Sequence, residues 1–207
     1  VSEGQNVAGG EPRIWGGTTL TERREARRAA LLEAALDLIG EAGAGAVTMR
    51  AVCRTAGLTD RYFYESFTSR DHLLDTLYRQ VADEFLAPMT AFAAADDPEH
   101  DRELARALVD KVLEDPRKSR LFLVEPYSST GLGQTTIAVM PAFTRLIQDH
   151  LFAYIDDPDR RRLAAVTMAS GNAGMFSAWL NGSLRASREQ IVDHIVAITT
   201  AYRTIYR

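Results

Sequence analysis

The stretch Thr48–Leu74, TMRAVCRTAGLTDRYFYESFTSRDHLL, constrains the fold of this 207-residue chain more than any other. It reads as two short helices joined by a tight turn at Gly57, with a third helix directly behind. Thr48 stands where an N-cap belongs, its hydroxyl able to take an orphan backbone N–H. Gly57 can adopt the positive φ that a sharp interhelix turn requires. Val52 and Cys53 face inward, Cys53 supplying the small side chain needed where the two helices cross, and Leu58 plugs the core beneath the turn. Thr59 is placed to cap the next helix, and Phe63 and Phe67, four residues apart, share the face that anchors it. The opposite face then shows Asp60, Arg61, Tyr62, Tyr64 and Glu65. A helix-turn-helix of this kind offers its second helix to the major groove of DNA.

The rest of the chain carries helical periodicity, and no stretch alternates strictly enough for a strand. The expected fold is all-α, an N-terminal three-helix helix-turn-helix DNA-binding domain followed by a C-terminal helical domain. Residues 1–19, with five glycines, read as a flexible arm in which Ile14 and Trp15 stand out; residues 20–68 form the DNA-binding domain and 69–207 the second domain. Helix 1 is expected over Thr21–Glu41 with Thr21 as its cap, and Leu31, Ala35, Leu38 and Ala42 on one face. A longer helix begins near Ser69 and leaves at Pro88 into the acidic loop around residues 94–101. Further helices are expected over Asp101–Leu113, from Pro116, over Thr136–Ile155 after a GLGQTT loop at 131–136, and over Asp159–Leu180 and Ser187–Tyr206, with Asn181-Gly182 between the last two.

Composition narrows the function classes. The net charge is −4, and residues 20–80 carry nine Arg against nine Asp or Glu, so attraction to phosphates must come from where arginines point. The single cysteine, Cys53, excludes an intrachain disulfide and suits a reducing cytoplasm. No apolar run is long enough to span a membrane. The four histidines, His72, His100, His150 and His194, are scattered without ligand spacing, so no metal or cofactor is expected. GLGQTT lacks the Gly-Lys-Ser/Thr ending of a phosphate loop. Asp96-Asp97 and Asp156-Asp157 sit beside prolines and read as solvated connections, so an enzyme is not expected.

The order Thr48, Ala56-Gly57-Leu58-Thr59, Tyr64-Glu65-Ser66-Phe67 and Ser69-Arg70-Asp71-His72-Leu73-Leu74 resembles the TetR family of transcriptional regulators. Trp179-Leu180-Asn181-Gly182 followed by SREQIVDHI is similar to that family's C-terminal dimerisation region. The resemblance implies a cytoplasmic regulator, a repressor in the first instance, bound to double-stranded DNA at a palindromic operator. It implies that Thr59, Arg61, Tyr62 and Tyr64 face the bases, with Arg61 able to give two hydrogen bonds to a guanine edge. Thr48, Arg50, the Tyr64 hydroxyl and Arg70 would hold phosphates. Arg23, Arg24, Arg27 and Arg28 give helix 1 a basic start that either touches the DNA backbone or pairs along a solvated face. Asp60 and Glu65 depart from the pattern by placing negative charge on the reading helix.

In the last helix Ile191, Ile195, Ile198, Tyr202 and Ile205 step by four, three, four and three, a heptad-like seam. Its companion carries Ser170, Gly171, Gly174 and Ala178, small enough for close helix approach. Together they predict a homodimer interface, the alternative being an intrachain core on the same seam. The resemblance further implies an unknown small-molecule effector, apolar with a few polar contacts. Phe85, Met89, Phe92, Phe122, Tyr127, Met140, Phe143, Ile147 and Met175 are the candidate walls of its pocket.

Overall fold

A computed structural model describes residues 19–91, 98–128 and 132–206, and every regular element among them is helical. The predicted arm, apart from Thr19, and Phe92 and Asp96-Asp97 lie outside the described residues. Helix α1 spans Leu20–Ala42, α2 Met49–Ala56, α3 Asp60–Ser66 and α4 Arg70–Ala91. Helix α5 runs over Pro98–Glu114, α6 over Pro116–Ser119 and α7 over Glu125–Ser128, the last two joined through a π-helical turn at Arg120–Val124. Helix α8 spans Gly133–Leu146 and passes into a second π turn, Ile147–Leu151, before α9 (Pro158–Leu180) and α10 (Arg188–Tyr206).

Several helix ends differ from the sequence expectation, each for a local reason. Thr19, not Thr21, caps α1: its hydroxyl accepts from the Glu22 N–H at 3.2 Å while the Glu22 carboxylate accepts from the Thr19 N–H at 2.6 Å, a reciprocal capping box. Pro88 does not end α4, which continues to Ala91. Pro98 opens α5 inside the stretch expected to be an acidic loop, in the first turn where a missing N–H costs nothing. The GLGQTT loop turns helical from Gly133. The helix expected to reach Ile155 stops at Leu151, where the Phe152 N–H closes the π turn on the Ile147 carbonyl. Asp115 and Asp157 cap α6 and α9 as Asp-Pro steps should, their carboxylates accepting from N–H groups of the first turn.

One apolar core runs through both expected domains, from Leu31, Leu36 and Ile39 of α1 through Phe63, Phe67 and Tyr78 to Leu121, Phe176 and Ile191. A smaller cluster around Phe152, Ile155, Ala165 and Met168 closes the far end. Helix α10 packs along α5, and α9 lies against α8 and the two π turns. Among the described residues, no helix is long and apolar enough to cross a membrane.

Candidate functional site

The reading element is built by three local devices. The Thr48 hydroxyl accepts from the Ala51 N–H at 3.1 Å and starts α2. Gly57 takes φ 65°, ψ 28°, which lets the Leu58 N–H reach back to the Cys53 carbonyl at 2.9 Å. Buried Phe63 and Phe67, ring centroids 5.8 Å apart, pin α3 to the core. Cys53 is buried at the helix crossing; burial pushes its thiol up, with the Asp60 carboxylate adding to the shift. Asp60 thereby has an intrachain setting, beside Cys53 and in the first turn of α3, where the helix dipole favours an anion.

Outward from this frame stand Asp60, Arg61 and Tyr64 of α3 and Thr48, Arg50 and Arg54 of α2, all exposed. Arg50 and Arg54 are one helical turn apart, so they share a face, and Arg54 is a cation that the sequence pattern does not single out. Arg61 donates to Glu65 at 2.9 Å across one turn, which gives Glu65 a partner and leaves most of the guanidinium in solvent. Tyr62 is turned aside: its ring lies under the Arg27 guanidinium, 4.4 Å from centroid to Cζ. Thr59 occupies the cap position of α3 with extended backbone, but its hydroxyl makes no capping bond, contrary to expectation.

Two of the four α1 arginines have a use within the chain that their spacing does not announce. Arg24 donates to the Glu65 carbonyl at 2.8 Å and Arg28 to the Ser66 carbonyl at 2.9 Å. Arg28 also covers the Phe67 ring at 4.4 Å. They clasp the C-terminal end of α3, where unsatisfied carbonyls and the dipole favour cations. Arg70 is likewise committed within the chain. Its guanidinium donates to the Val47 carbonyl at 2.6 Å, the Ala44 carbonyl at 2.8 Å and Asp71 at 3.0 Å. Two of its five donors bind the turn between α1 and α2, so Arg70 staples that turn within the chain.

That turn is gripped from the other side too. The buried Glu125 carboxylate accepts from the Ala44 N–H at 2.9 Å and from Arg120 at 3.1 Å, while Arg120 donates to the Gly40 carbonyl at 3.1 Å. Arg117 lies across α1 and reaches Glu33 at 2.7 Å, Asp37, and Asp115 at 2.8 Å. The stem of Arg117 fits only because residue 40 is glycine, where an added Cβ would stand 2.6 Å from its Cγ. The segment α6–π turn–α7 therefore holds the reading head by polar bonds along one edge.

Its other edge lines a cavity. The π turn sets Phe122 and Leu123 into a buried space of about 110 Å³, and the second π turn sets Ile147 and Leu151 into the same space. Of the predicted pocket residues, Phe85, Met89, Phe122, Met140, Phe143 and Ile147 line it. Phe122 stacks on Phe85 at 4.7 Å and contacts Phe143 at 5.4 Å between centroids. Tyr127 does not line it; α7 turns that side chain outward and leaves it 66% exposed. Met175 packs on the main core one step round α9 from the cavity-facing positions Met168, Asn172 and Phe176. The polar lining, which residue type alone does not reveal, is Asp101, Asn172 and Thr199. Asp101, expected where the acidic loop gives way to the next helix, is buried in α5 and paired with Arg203 of α10 through two bonds, one of 2.8 Å.

The heptad-like seam of α10 is divided. Ile191 and Ile195 are buried in the chain's own core, Ile195 at the cavity wall, so they do not form the exterior seam expected. Tyr202 stacks between Phe152 and Tyr206 at 5.0 and 5.9 Å. Ile198 and Ile205 stay exposed, as does Leu163 on α9. Gly171 is exposed and Gly174 and Ala178 half-buried on α9, and a Cβ built at either glycine meets nothing within 4 Å.

Residues 31–77 match the family described as bacterial regulatory proteins, tetR family. The HTH-type transcriptional regulator BetI of Rhizobium meliloti (strain 1021) is 39% identical over 71 residues, 32% of this chain. That match spans 35% of BetI, about a third of its length. In fold, the chain is similar to the transcriptional regulator FadR from Bacillus subtilis, solved in complex with stearoyl-CoA (TM-score 0.69, 16% identity, 83% of this chain and 96% of that one). It is also similar to a TetR-like transcriptional regulator from Rhodococcus sp. RHA1 (TM-score 0.65, 14% identity, 86% and 95%).

Proposed function

Because the chain belongs to the TetR family of bacterial regulatory proteins, we propose that it is a DNA-binding transcriptional repressor, released from a palindromic operator by a small effector. The observation that carries this reading is α3, anchored by Phe63 and Phe67 and clasped at its end by Arg24 and Arg28, with Arg61 and Tyr64 turned to solvent. Residues 20–68 serve as the reading head and 69–207 as the effector and dimerisation domain. Arg61 reads a base edge, with Tyr64 and Thr59 beside it, while Thr48, Arg50 and Arg54 hold phosphates. A homodimer supplies two such heads, for half-sites one helical turn apart. The open space over Gly171 and Gly174 and the exposed Leu163, Ile198 and Ile205 support its interface on α9 and α10.

The cavity takes the effector. Phe122 at its wall and Arg120 and Glu125 at the reading head lie within one continuous segment, so a change of packing around Phe122 is felt where Glu125 holds Ala44. Release requires that the effector bind the DNA-incompetent arrangement more tightly than the competent one.

Selection of bound sites from a random DNA library, followed by anisotropy titration on the selected duplex, tests the proposal. A palindrome bound by a dimer, with Arg61→Ala costing about 1–3 kcal/mol and relaxing preference at one position, is the expected result. Absence of any selected sequence at low salt, or a monomer by light scattering, would overturn it.

A further inference from the structure

The surface just outside the cavity bears on what kind of molecule can occupy it. Between α8 and α9 runs an open groove of about 550 Å³, lined among others by Ile137, Pro141, Arg145, Arg162 and Val166. Among the described residues, Met140 lines both this groove and the cavity, so its side chain forms part of the wall between them. An unbranched thioether is the easiest core side chain to displace. The backbone beneath it is also weakened. Pro141 has no N–H, so the Ile137 carbonyl lacks its helical donor one turn earlier, and the Thr144 hydroxyl bonds the Met140 carbonyl at 3.0 Å.

The two compartments differ in charge. Inside, the lining is apolar but for Thr199, Asn172 and Asp101, and Arg203 already neutralises that carboxylate. Outside, Arg145 and Arg162 are exposed, neither forms an ion pair with a described residue, and no Asp or Glu lines the groove. Apolar surface continues to the mouth, where Ile137 is 68% exposed and Val166 42%. A wholly apolar ligand would gain nothing from two unpaired guanidinium groups beside the opening, whereas an oxyanion would find two charge-assisted donors there.

Resting on the effector reading, we propose that the effector is an amphipathic anion, a compact alkyl or aryl body ending in a carboxylate or phosphate. The body passes Met140 into the space lined by Phe85, Phe122 and Phe143, and the oxyanion stays in the groove between Arg145 and Arg162.

Calorimetric titration of the full-length protein with octanoate, octyl phosphate and octan-1-ol tests this directly. One of the anions should bind about tenfold more tightly than the alcohol at low ionic strength, as expected for two solvent-exposed charge pairs. The advantage should shrink as salt rises. The double substitution Arg145→Ala with Arg162→Ala should abolish it while leaving octan-1-ol affinity and operator binding unchanged. Which anion binds better distinguishes carboxylate from phosphate. Equal binding of alcohol and anions, or a preference that survives the double substitution, overturns the proposal, and release of the operator by octan-1-ol in that case leaves the effector reading standing. If no probe binds while operator binding is intact, the effector reading fails with it.

Discussion

Glu125→Ala should uncouple the reading head from the rest of the molecule, at a cost that can be worked from the contacts. Glu125 is buried and accepts from the Ala44 N–H and from Arg120. Truncation leaves the Ala44 N–H buried without that acceptor, a penalty of about 1–3 kcal/mol. Arg120 is partly exposed and can rehydrate, so its share is at most about 1 kcal/mol. The expected destabilisation is therefore about 1–4 kcal/mol, a fall in Tm of roughly 2–16 °C for a chain of this size. Glu125→Gln keeps an oxygen in place for Ala44 and loses the charge and the acceptor that face partly exposed Arg120, so it should cost about 1 kcal/mol. Urea unfolding of the three proteins at neutral pH measures both. The functional signature is separate: effector-induced release should weaken in Glu125→Ala even under conditions where the protein is fully folded. Unfolding of Glu125→Ala within about 0.5 kcal/mol of the parent, or equal damage from Glu125→Gln and the truncation, would refute the reasoning.

Other substitutions probe the staple, the turn and the core. Arg70→Ala should lower stability by removing the bonds to Val47 and Ala44 but leave the salt dependence of operator binding unchanged, whereas Arg50→Ala should reduce that slope by about 1 if Arg50 neutralises one phosphate; titrations over a salt series tell them apart. Gly57→Ala meets no neighbour within 4 Å yet must hold φ 65°, so urea unfolding should show a destabilisation of about 1–2 kcal/mol from backbone strain alone. Burial holds the Tyr78 phenol un-ionised up to about pH 12, despite its bond to Thr136. Because the unfolded phenol ionises near pH 10, the buried neutral phenol should cost nothing below that point, and stability should fall as pH rises through 10–12, by at most about 3 kcal/mol; Tyr78→Phe should flatten that part of the stability–pH curve.

The helix-turn-helix is readable in the sequence because its determinants are local. Thr48, Gly57, Phe63 and Phe67 act on residues within one or two turns, and spacing alone exposes them. The capping box at Thr19 and Glu22 is equally local, three residues apart, but Thr21 offers a competing hydroxyl two positions on, and only the backbone geometry separates the two. Direction across space is what sequence does not encode locally. Ile191, Ile195, Ile198 and Ile205 share a period, but α5 sits against only one side of α10, and the period does not say which isoleucines meet it. The pattern around Arg70 points to phosphate, while carbonyls 23 and 26 residues earlier in the chain claim two of its donors. Acidic neighbours and Pro98 make Asp101 look like a solvated helix start, and its partner Arg203 lies 102 residues away. Tyr127 and Met175 suit a pocket wall by residue type, and helix phase places them elsewhere.

The two π turns have a consequence for how this scaffold can change. Each closes an N–H on the carbonyl five residues back, Glu125 on Arg120 and Phe152 on Ile147, where an α-helix would close four back. Each is thus equivalent to one residue inserted into a helix, and each delivers a pair of cavity walls. Deleting one residue from either would restore α-helical pairing and leave the helix beyond it close to its present phase, because the wider turn takes up the extra residue, so the change falls on the cavity walls that the turn itself carries. Descendants of such a chain can therefore reshape the cavity by gaining or losing a single codon, with every remaining side chain conserved. Alignments that treat one-residue gaps in these helices as noise would pass over the positions where ligand preference is written.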